Sequence, residues 1–600
     1  MSIMSPGTPS SPASDQASFY AIVALNAGHQ ALEEKMAATR HLQSMVEDLR
    51  PVMDHPHATL LASATWPLRM SHDQSVALLG EVFPREHVTV DEVVKPLDGE
   101  RPEAAAKAVS ENLWGRYVLL SIGQHSGRCA WYRDSSGSQR LYTWRCGSIA
   151  IVTNSISSEL VAAIGRRPSI NWERVAQLVR QTEMSASFCA LNEIEIVQPG
   201  TLSTCKDGRI TPMTFWSPER FCESDGAQQA EQLPGVAAQC ITHWAKGHSR
   251  VTIELSGGLD SSIVAGLLAS IPKAPFIQAL TIIPESPGGD ERDYARSVAG
   301  KWNFGLVETR VVPAQLDYRE LLELPLSVEP AVYGLDVLAD RLSSQLADTF
   351  GATRIFSGQG GDAIFFQPHA LAIAADFVQA QGLKHGLFGI VSSIALANNI
   401  SIWSVLRSIF RATASFEHRE IPPAIAGPVG RQAWESDRLV HPWSAACQHL
   451  PPGKRLQIAM LTHCQLFNRA TRTAAHGRLV HPLLSQPIVE MCLGIPTWQL
   501  VPDRRERGLA RDQFTMLLPD KVRSRRGKGE ASGFYNRVIN AHLPELRPLL
   551  LDGVLANAGI IAPALLDAWL TTEHLLWKDD HPTIGALISL EIWARQWGGG

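Results

Sequence analysis

The chain of 600 residues is 45% hydrophobic and 19% charged, and its formal net charge is −5. Such a composition is typical of a globular protein of roughly two to four domains, and the negative charge gives no reason to expect nucleic acid binding. The nine cysteines form no CxxC pair and no Cys/His cluster at zinc-ligand spacing, so we expect reduced thiols in a cytoplasmic protein. An uninterrupted apolar run long enough to predict a transmembrane segment is missing from the sequence.

The first half of the chain has the pattern of a β-rich domain. Residues 1–18 are rich in Ser and Pro and lack a signal-peptide pattern, which predicts a disordered tail. Within residues 19–216, short apolar or alternating runs are bounded by turn residues, which predicts strands. These runs are 19–25, 60–64, 116–122, 128–132, 139–144 and 148–153. The polar stretch 217–234 has Pro near both ends and is predicted to be a linker.

The second half, residues 235–600, alternates between strand and helix patterns. Strands are predicted at 251–255, 276–283, 306–312 and 353–356, with helices that begin at 260, near 290 and near 336. This alternation predicts an α/β domain with a doubly wound parallel sheet and a ligand site at the C-terminal ends of its strands. Residues 463–500 are predicted to be helical. The apolar run 386–397 is predicted to be a helix packed in the core, with a peptide groove or a membrane surface as alternatives.

A Gly-rich turn joins the first of these strands to its helix. Two glycines let the backbone approach a ligand, and the free N–H groups of a helix N-terminus favour phosphate. Asp260 would repel a bare phosphate, so it predicts a Mg²⁺ ion between the carboxylate and a pyrophosphate. An ordinary turn capped by Ser or Asp is the alternative. The nucleotide-binding candidates are Leu255, Ser256, Gly257, Gly258, Leu259, Asp260, Ser261 and Ser262, with Leu280 and Thr281 in the second strand.

A second Gly-rich turn follows the strand at 353–356. A parallel sheet brings the turns after its strands to one edge, so we expect Asp362 to lie close to Asp260. Two carboxylates and phosphate oxygens are a usual ligand set for Mg²⁺. A Gly-rich loop with Asp as a local turn former is the alternative. The other candidates in this turn are Ser357, Gly358, Gln359, Gly360 and Gly361.

The string LSGGLDSS at 255–262 resembles the pyrophosphate loop of the ATP-pyrophosphatase synthetases, the group that includes asparagine synthetase B. The segment 357–362 is similar to their SGEGSD motif, whose Asp completes a Mg²⁺ site. Residues 133–142, RDSSGSQRLY, resemble the RDxxGxxPLY hairpin in the amidotransferase half of asparagine synthetases. The resemblance implies an α/β two-domain fold with an N-terminal Ntn-hydrolase-like (glutaminase-like) β-rich sandwich and a C-terminal ATP-pyrophosphatase domain. It also implies cleavage of ATP to AMP and pyrophosphate.

A third segment, 518–529, resembles the LPxxxxxRxK segment that closes the active site of this family, with Lys528 at the lysine. Attack on an acyl-adenylate creates an oxyanion while charged phosphate departs, so a positioned ammonium stabilises the developing charge. The resemblance therefore implies a catalytic role for Lys528. A solvated basic face is the alternative.

Three positions depart from the family pattern. A glutamine-hydrolysing member needs Cys directly after the initiator Met, whereas this chain opens with Met1-Ser2 and its first cysteine is Cys129. We therefore expect the N-terminal domain to lack a nucleophile and the amine to come from elsewhere, with a serine nucleophile at position 2 as the alternative. Position 359 is Glu in asparagine synthetases and Tyr in β-lactam-forming relatives. Gln359 cannot accept a proton at neutral pH, so we expect it to orient the substrate carboxylate or the adenylate. Ser485 replaces the Asp of a PFLD motif.

The chain is most similar to the lasso-peptide cyclases within this family. That resemblance implies that an Asp or Glu side chain of a core peptide is activated as its acyl-AMP. The N-terminal amine of the peptide then attacks, which closes a macrolactam. The implied cofactors are ATP and Mg²⁺. The implied partners are the precursor peptide, a leader peptidase and a leader-recognition element, without nucleic acid, and association with a membrane surface stays open.

Three alternatives remain at this point. A β-lactam or other small-molecule amide synthetase would share the same loops, although Gln359 argues against it. An ammonia-dependent asparagine synthetase would form only a free amide. A non-catalytic ATP-binding scaffold would leave Asp260, Asp362 and Lys528 idle.

Overall fold

The computed structural model describes most of the chain. The described residues are 18–46, 48–222, 226–285, 290–316, 319–331, 336–367, 371–383, 386–411, 423–468, 471, 473–474, 477–502, 505–525 and 532–598. Their strands form three sheets. Within these ranges no helix has both the length and the apolar character needed to cross a membrane.

Twelve strands form the N-terminal half. They are β1 (Phe19–Ala24), β2 (Leu49–His55), β3 (Ala58–Ser63), β4 (Leu68–Met70), β5 (Val76–Pro84), β6 (Leu113–Ile122), β7 (Cys129–Arg133), β8 (Tyr142–Cys146), β9 (Ile149–Thr153), β10 (Ile194–Ile196), β11 (Thr201–Lys206) and β12 (Arg209–Thr214). They build two six-stranded sheets in the orders β10-β8-β9-β1-β3-β2 and β12-β11-β7-β6-β5-β4. Neighbouring strands are antiparallel. Each of the six runs predicted as strands overlaps one of these elements.

The two sheets pack face to face, and helices cover both outer faces. Phe19 and Leu60 of the first sheet meet Leu79 and Trp131 of the second in one buried core. The outer face of the first sheet packs on α1 (His29–Met45), α4 (Ser158–Ile164) and α5 (Trp172–Arg180), and that of the second on α2 (Val90–Val94) and α3 (Pro102–Asn112). The β-rich N-terminal region is thus confirmed, as a four-layer αββα arrangement.

A five-stranded parallel sheet lies at the centre of the C-terminal half. Its strands are β13 (Arg250–Glu254), β14 (Phe276–Pro284), β15 (Gly305–Val311), β16 (Arg354–Phe356) and β17 (Leu479–Val480), in the order β15-β14-β13-β16-β17. The chain moves outward from β13 to β15 and then returns to the other side of β13. The strand order therefore reverses between β13 and β16, which is where open α/β sheets bind their ligands. The predicted parallel sheet is confirmed.

Helices surround this sheet and fill the rest of the C-terminal half. They are α6 (Gly226–Ala245), α7 (Leu259–Ala269), α8 (Arg292–Trp302), α9 (Arg319–Leu322), α10 (Val337–Phe350), α11 (Gly361–Ile364), α12 (Ala372–Gln381), α13 (Leu387–Ala397), α14 (Ile402–Arg411), α15 (Pro428–Glu435), α16 (Pro442–Ala446), α17 (Pro452–Cys464), α18 (Gln486–Gly494), α19 (Thr497–Leu500), α20 (Gly508–Gln513), α21 (Asp520–Ser524), α22 (Ser532–Ala541), α23 (Leu543–Leu551), α24 (Val554–Asn557), α25 (Pro563–Asp567), α26 (Thr572–Trp577) and α27 (His581–Gly598).

Two predicted segments differ from expectation in their secondary structure. Residues 226–234 of the predicted linker form the first half of α6, which contains Pro234. The sequence of this segment is mostly polar, but the helix has one buried side, which includes Leu233. The segment 463–500 is not one helix, because β17 interrupts it and pairs with β16. The boundaries of the two domains stay predictions.

The predicted apolar helix at 386–397 is present as α13, but only one side of it belongs to the core. Val391, Ile394 and Ala395 are buried. Phe388 and Leu396 on the same helix are exposed. Packing in the core therefore explains the apolar residues on one side of α13 but not those on the exposed side.

Ion pairs join the two halves near the parallel sheet. Glu81 of β5 accepts from Arg354 of β16 at 3.0 Å and from Arg116 of β6 at 2.5 Å. Arg116 also donates to the backbone oxygen of Leu479 in β17 at 3.1 Å. Burial alone would raise the pKa of Glu81, but Arg116 and Arg354 outweigh it and lower the pKa to about 2. The N-terminal half is thereby held against two strands of the parallel sheet, β16 and β17.

Candidate functional site

The first Gly-rich turn follows β13 and leads directly into α7. Gly257 has a φ of +77°, a conformation that favours glycine. A Cβ at this position would also lie 2.7 Å from Cβ of Tyr294 and 2.8 Å from the backbone nitrogen of Ala295. The start of α8 therefore packs directly on the turn, and only glycine fits. The hydroxyl of Ser262 donates to the backbone oxygen of Gly258 at 2.6 Å, which fixes the first turn of α7.

The second Gly-rich turn follows β16 and touches the first. A Cβ on Gly358 would collide with the backbone nitrogen of Ser261, and a Cβ on Gly361 would collide with the carboxyl group of Asp260. These contacts explain why small residues are needed at both positions. The two turns therefore meet at the reversal of strand order, as expected from a parallel sheet.

Asp260 and Asp362 converge on one guanidinium group. Nη1 of Arg507 lies 2.7 Å from Oδ2 of Asp260 and also donates to Oδ1 of Asp362. Arg507 precedes α20, has a φ of +52° and is only 3% exposed. Burial alone would lower its pKa, but Asp260, Asp362 and Glu506 outweigh it and raise the pKa above the ordinary value. The pair of carboxylates thus stabilises a cation between the two turns.

The same pair of carboxylates suits a divalent metal. Within the described ranges, no group of three or more His, Cys, Asp or Glu side chains is placed to hold a metal ion. Two carboxylates that converge on one positive charge are, however, the protein share of a Mg²⁺ site that is completed by phosphate oxygens and water. The oxygens of Asp260 and Asp362 are hard ligands of the kind that Mg²⁺ prefers. The residues present therefore fit Mg²⁺ when a nucleotide is bound.

The remaining nucleotide candidates lie at the same edge of the sheet. The backbone N–H of Leu255 donates to the oxygen of Leu280 at 2.8 Å, and Thr281 next to it is buried. Gln359 is exposed at the tip of the second turn, and its backbone N–H donates to Oγ of Ser357 at 3.3 Å. Ser485, at the altered motif position, lies at the N-terminal end of α18, and its hydroxyl accepts from the indole N–H of Trp244 at 2.9 Å.

The third predicted segment docks beside the first turn. Lys521 of α21 lies 3.1 Å from Asp293 of α8, and Arg525 binds Glu291. The guanidinium of Arg525 also lies 4.3 Å from the ring centre of Tyr294, the residue that packs on Gly257. The acidic start of α8 therefore receives this basic segment. Lys528 itself lies outside the described residues.

The sequence patterns did not reveal Arg507 or a second polar contact, between Ser357 and His481. Nδ1 of His481 lies 2.6 Å from Oγ of Ser357, and Nε2 lies 3.3 Å from the backbone oxygen of Phe467. A carbonyl can only accept, so Nε2 carries the proton, and in the neutral ring Nδ1 accepts from the Ser357 hydroxyl. The sequence around His481, where a Pro follows a short strand, does not predict this contact.

This histidine connects the second turn to the N-terminal half. Phe467 belongs to the turn Gln465–Asn468, whose side chains contact the segment 133–142. This segment does not form the expected hairpin, because it connects β7 of one N-terminal sheet to β8 of the other. Gln465 donates to the backbone oxygen of Ser136 at 3.1 Å, and Asn468 donates to that of Gly137 at 3.2 Å. A continuous path of contacts thus leads from the segment between β7 and β8 to Ser357.

Comparison with known proteins identifies the C-terminal half. The family described as asparagine synthase matches residues 238–595. The search of curated proteins found no match. Similar solved structures include the U34-tRNA thiolase NcsA from Methanococcus maripaludis with its 4Fe–4S cluster, at 14% identity over 40% of this chain and 81% of that chain, with a TM-score of 0.20. Another is the glutamine phosphoribosylpyrophosphate amidotransferase from B. subtilis complexed with ADP and GMP, at 10% identity over 67% of this chain and 94% of that chain, with a TM-score of 0.20.

These TM-scores are too low for either likeness to support an argument. The family match is different, because it spans more than half of the chain and contains both Gly-rich turns and Arg507. This protein therefore belongs to the asparagine synthase family and is an ATP-dependent C–N ligase.

Proposed function

We propose that this ligase is an AMP-forming lasso-peptide macrolactam synthetase. The observation that carries adenylation is the convergence of Asp260 and Asp362 on one cation where the strand order reverses. The macrolactam product rests on the similarity of residues 357–362 to the cyclases and on the exposed Gln359, which cannot act as a base. A base at this position would instead have favoured β-lactam chemistry.

The reaction has two steps. A carboxylate oxygen of the core peptide attacks the α-phosphorus of ATP, the α–β phosphoanhydride bond breaks, and pyrophosphate leaves. The N-terminal amine of the same peptide then attacks the acyl carbon, the bond from that carbon to the AMP oxygen breaks so that AMP leaves, and the amine proton passes to water. The product is an amide that closes the ring.

The residues of the two turns divide the work between them. Gly257 and Gly258, with the N-terminus of α7, hold the phosphates. Asp260 and Asp362 hold Mg²⁺, which when bound neutralises charge on the pyrophosphate. Arg507 pairs with the same two carboxylates when the metal is absent, and Lys528 stabilises the oxyanion of the second step.

The buried thiols of the N-terminal half argue against glutamine hydrolysis. They therefore support an attacking amine other than ammonia released from glutamine. Burial raises the pKa of Cys129, Cys146 and Cys189 to about 12 and also raises the pKa of Cys205. The thiolate is the nucleophile in cysteine chemistry, so these four groups are poor candidates for glutamine hydrolysis. We therefore assign residues 19–216 to a degenerate glutaminase-like domain. The proposed partners are the precursor peptide, a leader peptidase and a leader-recognition element, in the cytoplasm.

The test is to incubate the full chain with ATP, Mg²⁺ and a leader-processed core peptide. We expect AMP and pyrophosphate from ATP, and a peptide that is lighter by one water. The same peptide with a blocked α-amine should stay linear, while pyrophosphate–ATP exchange continues. The variant Asp362→Asn serves as the inactive control.

Each other outcome contradicts a different part of the proposal. ADP as the nucleotide product would exclude adenylation. A side-chain amide formed from added ammonia would indicate an ammonia-dependent asparagine synthetase. Glutamine hydrolysis by the purified protein would return the N-terminal half to the active amidotransferases. If the protein binds ATP but does not turn it over with any carboxylate substrate, it is a non-catalytic ATP-binding scaffold.

A further inference from the structure

Helix α13 has an outer side without charge. Its inner side, which includes Val391 and Ile394, belongs to one buried cluster with Phe366 and Ile495. On its outer side, Phe388 is 74% exposed and Leu396 is 63% exposed. A surface helix of a globular protein normally carries charged or polar residues on the side that faces water. The outer side of α13 therefore lacks the composition of an ordinary solvent-facing helix.

Exposed apolar side chains continue on both sides of α13. Leu383 before the helix is 82% exposed, and Trp403 in α14 is 74% exposed. Ile400, in the connection between α13 and α14, is exposed as well. We call Leu383, Phe388, Leu396, Ile400 and Trp403, which are the exposed large apolar side chains of residues 383–403, the apolar face.

The charge of this region has one sign. Residues 377–416 contain no Asp and no Glu, whereas they contain Lys384, Arg407 and Arg411. Arg407 is exposed on α14, and the side chains of the other two lie outside the described residues. Forty residues without a carboxylate stand out in a chain whose formal net charge is −5. A surface of opposite, negative charge would therefore complement this part of the protein.

We propose that the apolar face docks on an anionic lipid membrane, with α13 and α14 lying in the headgroup region. Protruding Trp, Phe and Leu side chains flanked by basic residues are the composition of helices that lie in a membrane interface. The basic residues add attraction to anionic headgroups. The ligase sheet and its two Gly-rich turns take no part in this contact, so the proposal does not depend on the peptide product.

The test measures binding of the full chain to phosphatidylcholine vesicles with and without phosphatidylglycerol. We expect co-sedimentation with the anionic vesicles only, and weaker binding when salt shortens the range of electrostatic attraction. The double variant Phe388→Ser/Trp403→Ser should lose binding about tenfold or more, because it removes two of the inserted aromatic side chains. Arg407→Glu should weaken binding to anionic vesicles by a smaller factor.

The matched control is Trp577→Ser. Trp577 is 81% exposed on α26, outside the apolar face, so this variant should bind vesicles like the wild type. Equal loss in the control, equal binding to neutral vesicles, or no binding by the wild type would overturn the proposal. Concentration-dependent dimers that only the double variant abolishes would assign the face to a second copy of the chain. A raised KM for the peptide without vesicle binding would assign it to the substrate.

Discussion

The guanidinium of Arg507 bridges Asp260 and Asp362, with its Nη1 2.7 Å from Oδ2 of Asp260. The three residues come from three separate elements, namely the start of α7, the second Gly-rich turn and the residue before α20. One buried cation position is therefore built from two carboxylates, and Arg507 and Mg²⁺ are expected to compete for their charge.

The first prediction concerns the two carboxylates. Asp260→Asn and Asp362→Asn should each lower turnover by about a hundredfold or more, because each removes one charged metal ligand. The double variant should be little worse than either single variant, since both residues serve one site. The measurement is pyrophosphate–ATP exchange. Additive losses, or wild-type exchange in either single variant, would show that the residues act separately.

Arg507→Met should destabilise the fold by roughly 3 kcal/mol, because it leaves Asp260 without its buried cationic partner. Mg²⁺ should then raise the melting temperature of this variant more than that of the wild type, since the metal binds the carboxylates that the arginine has released. Arg523→Met is the control, because Arg523 pairs with Asp520 on the surface. An equal response to Mg²⁺ in both proteins would separate Arg507 from the metal site.

His481 is predicted to position the second turn through Ser357. His481→Asn keeps an acceptor near the place of Nδ1, whereas His481→Gln places its amide near Nε2. We expect the Gln variant to lose about tenfold in kcat and the Asn variant clearly less, because the lost hydrogen bond is worth about 1 kcal/mol or slightly more. Equal losses in both variants would mean that ring volume, rather than the bond to Ser357, matters.

Lys528→Met should still bind ATP and peptide but close the ring about 10²–10³ times more slowly, which is the usual effect of losing one preorganised donor. Adenylation, followed as pyrophosphate–ATP exchange, should survive in part. Lys521→Met is the control, because Lys521 pairs with Asp293 at the surface. Ring closure at the wild-type rate in Lys528→Met would assign this lysine to a solvated basic face.

The ion pairs of Glu81 predict acid-sensitive stability. Arg116 and Arg354 outweigh the effect of burial and lower the pKa of Glu81 from 4.5 to about 2. A lowered carboxyl pKa stabilises the fold at pH values above 4.5, and this contribution is lost as the pH falls towards 2. Glu81→Gln should therefore cost on the order of 2–3 kcal/mol at pH 7 and much less at pH 3. Urea unfolding at both pH values measures this, and a constant difference would contradict the prediction.

Local sequence determined the parts of this protein that local physics controls. The first Gly-rich turn is specified by the β-branched run before it, by Gly257 and by the small residues of the helix after it. Neighbouring residues set both the backbone conformation of the glycine and the start of the helix. The same holds for the second turn, where Gly358 and Gly361 permit close approach. The alternation of strands and helices along the chain then implied a parallel sheet, in which both turns lie at the same edge.

Tertiary structure alone decided which side chains meet there. Nothing near Arg507 in the sequence indicates that it reaches Asp260, because that contact depends on how α20 packs against two loops far away in the chain. The hydrogen bond between Ser357 and His481 likewise requires β17 to pair with β16. Strand β17 has only two residues, which are too few to show a strand pattern in the sequence. Local patterns encode backbone shape, whereas contacts between distant side chains depend on the packing of the whole core.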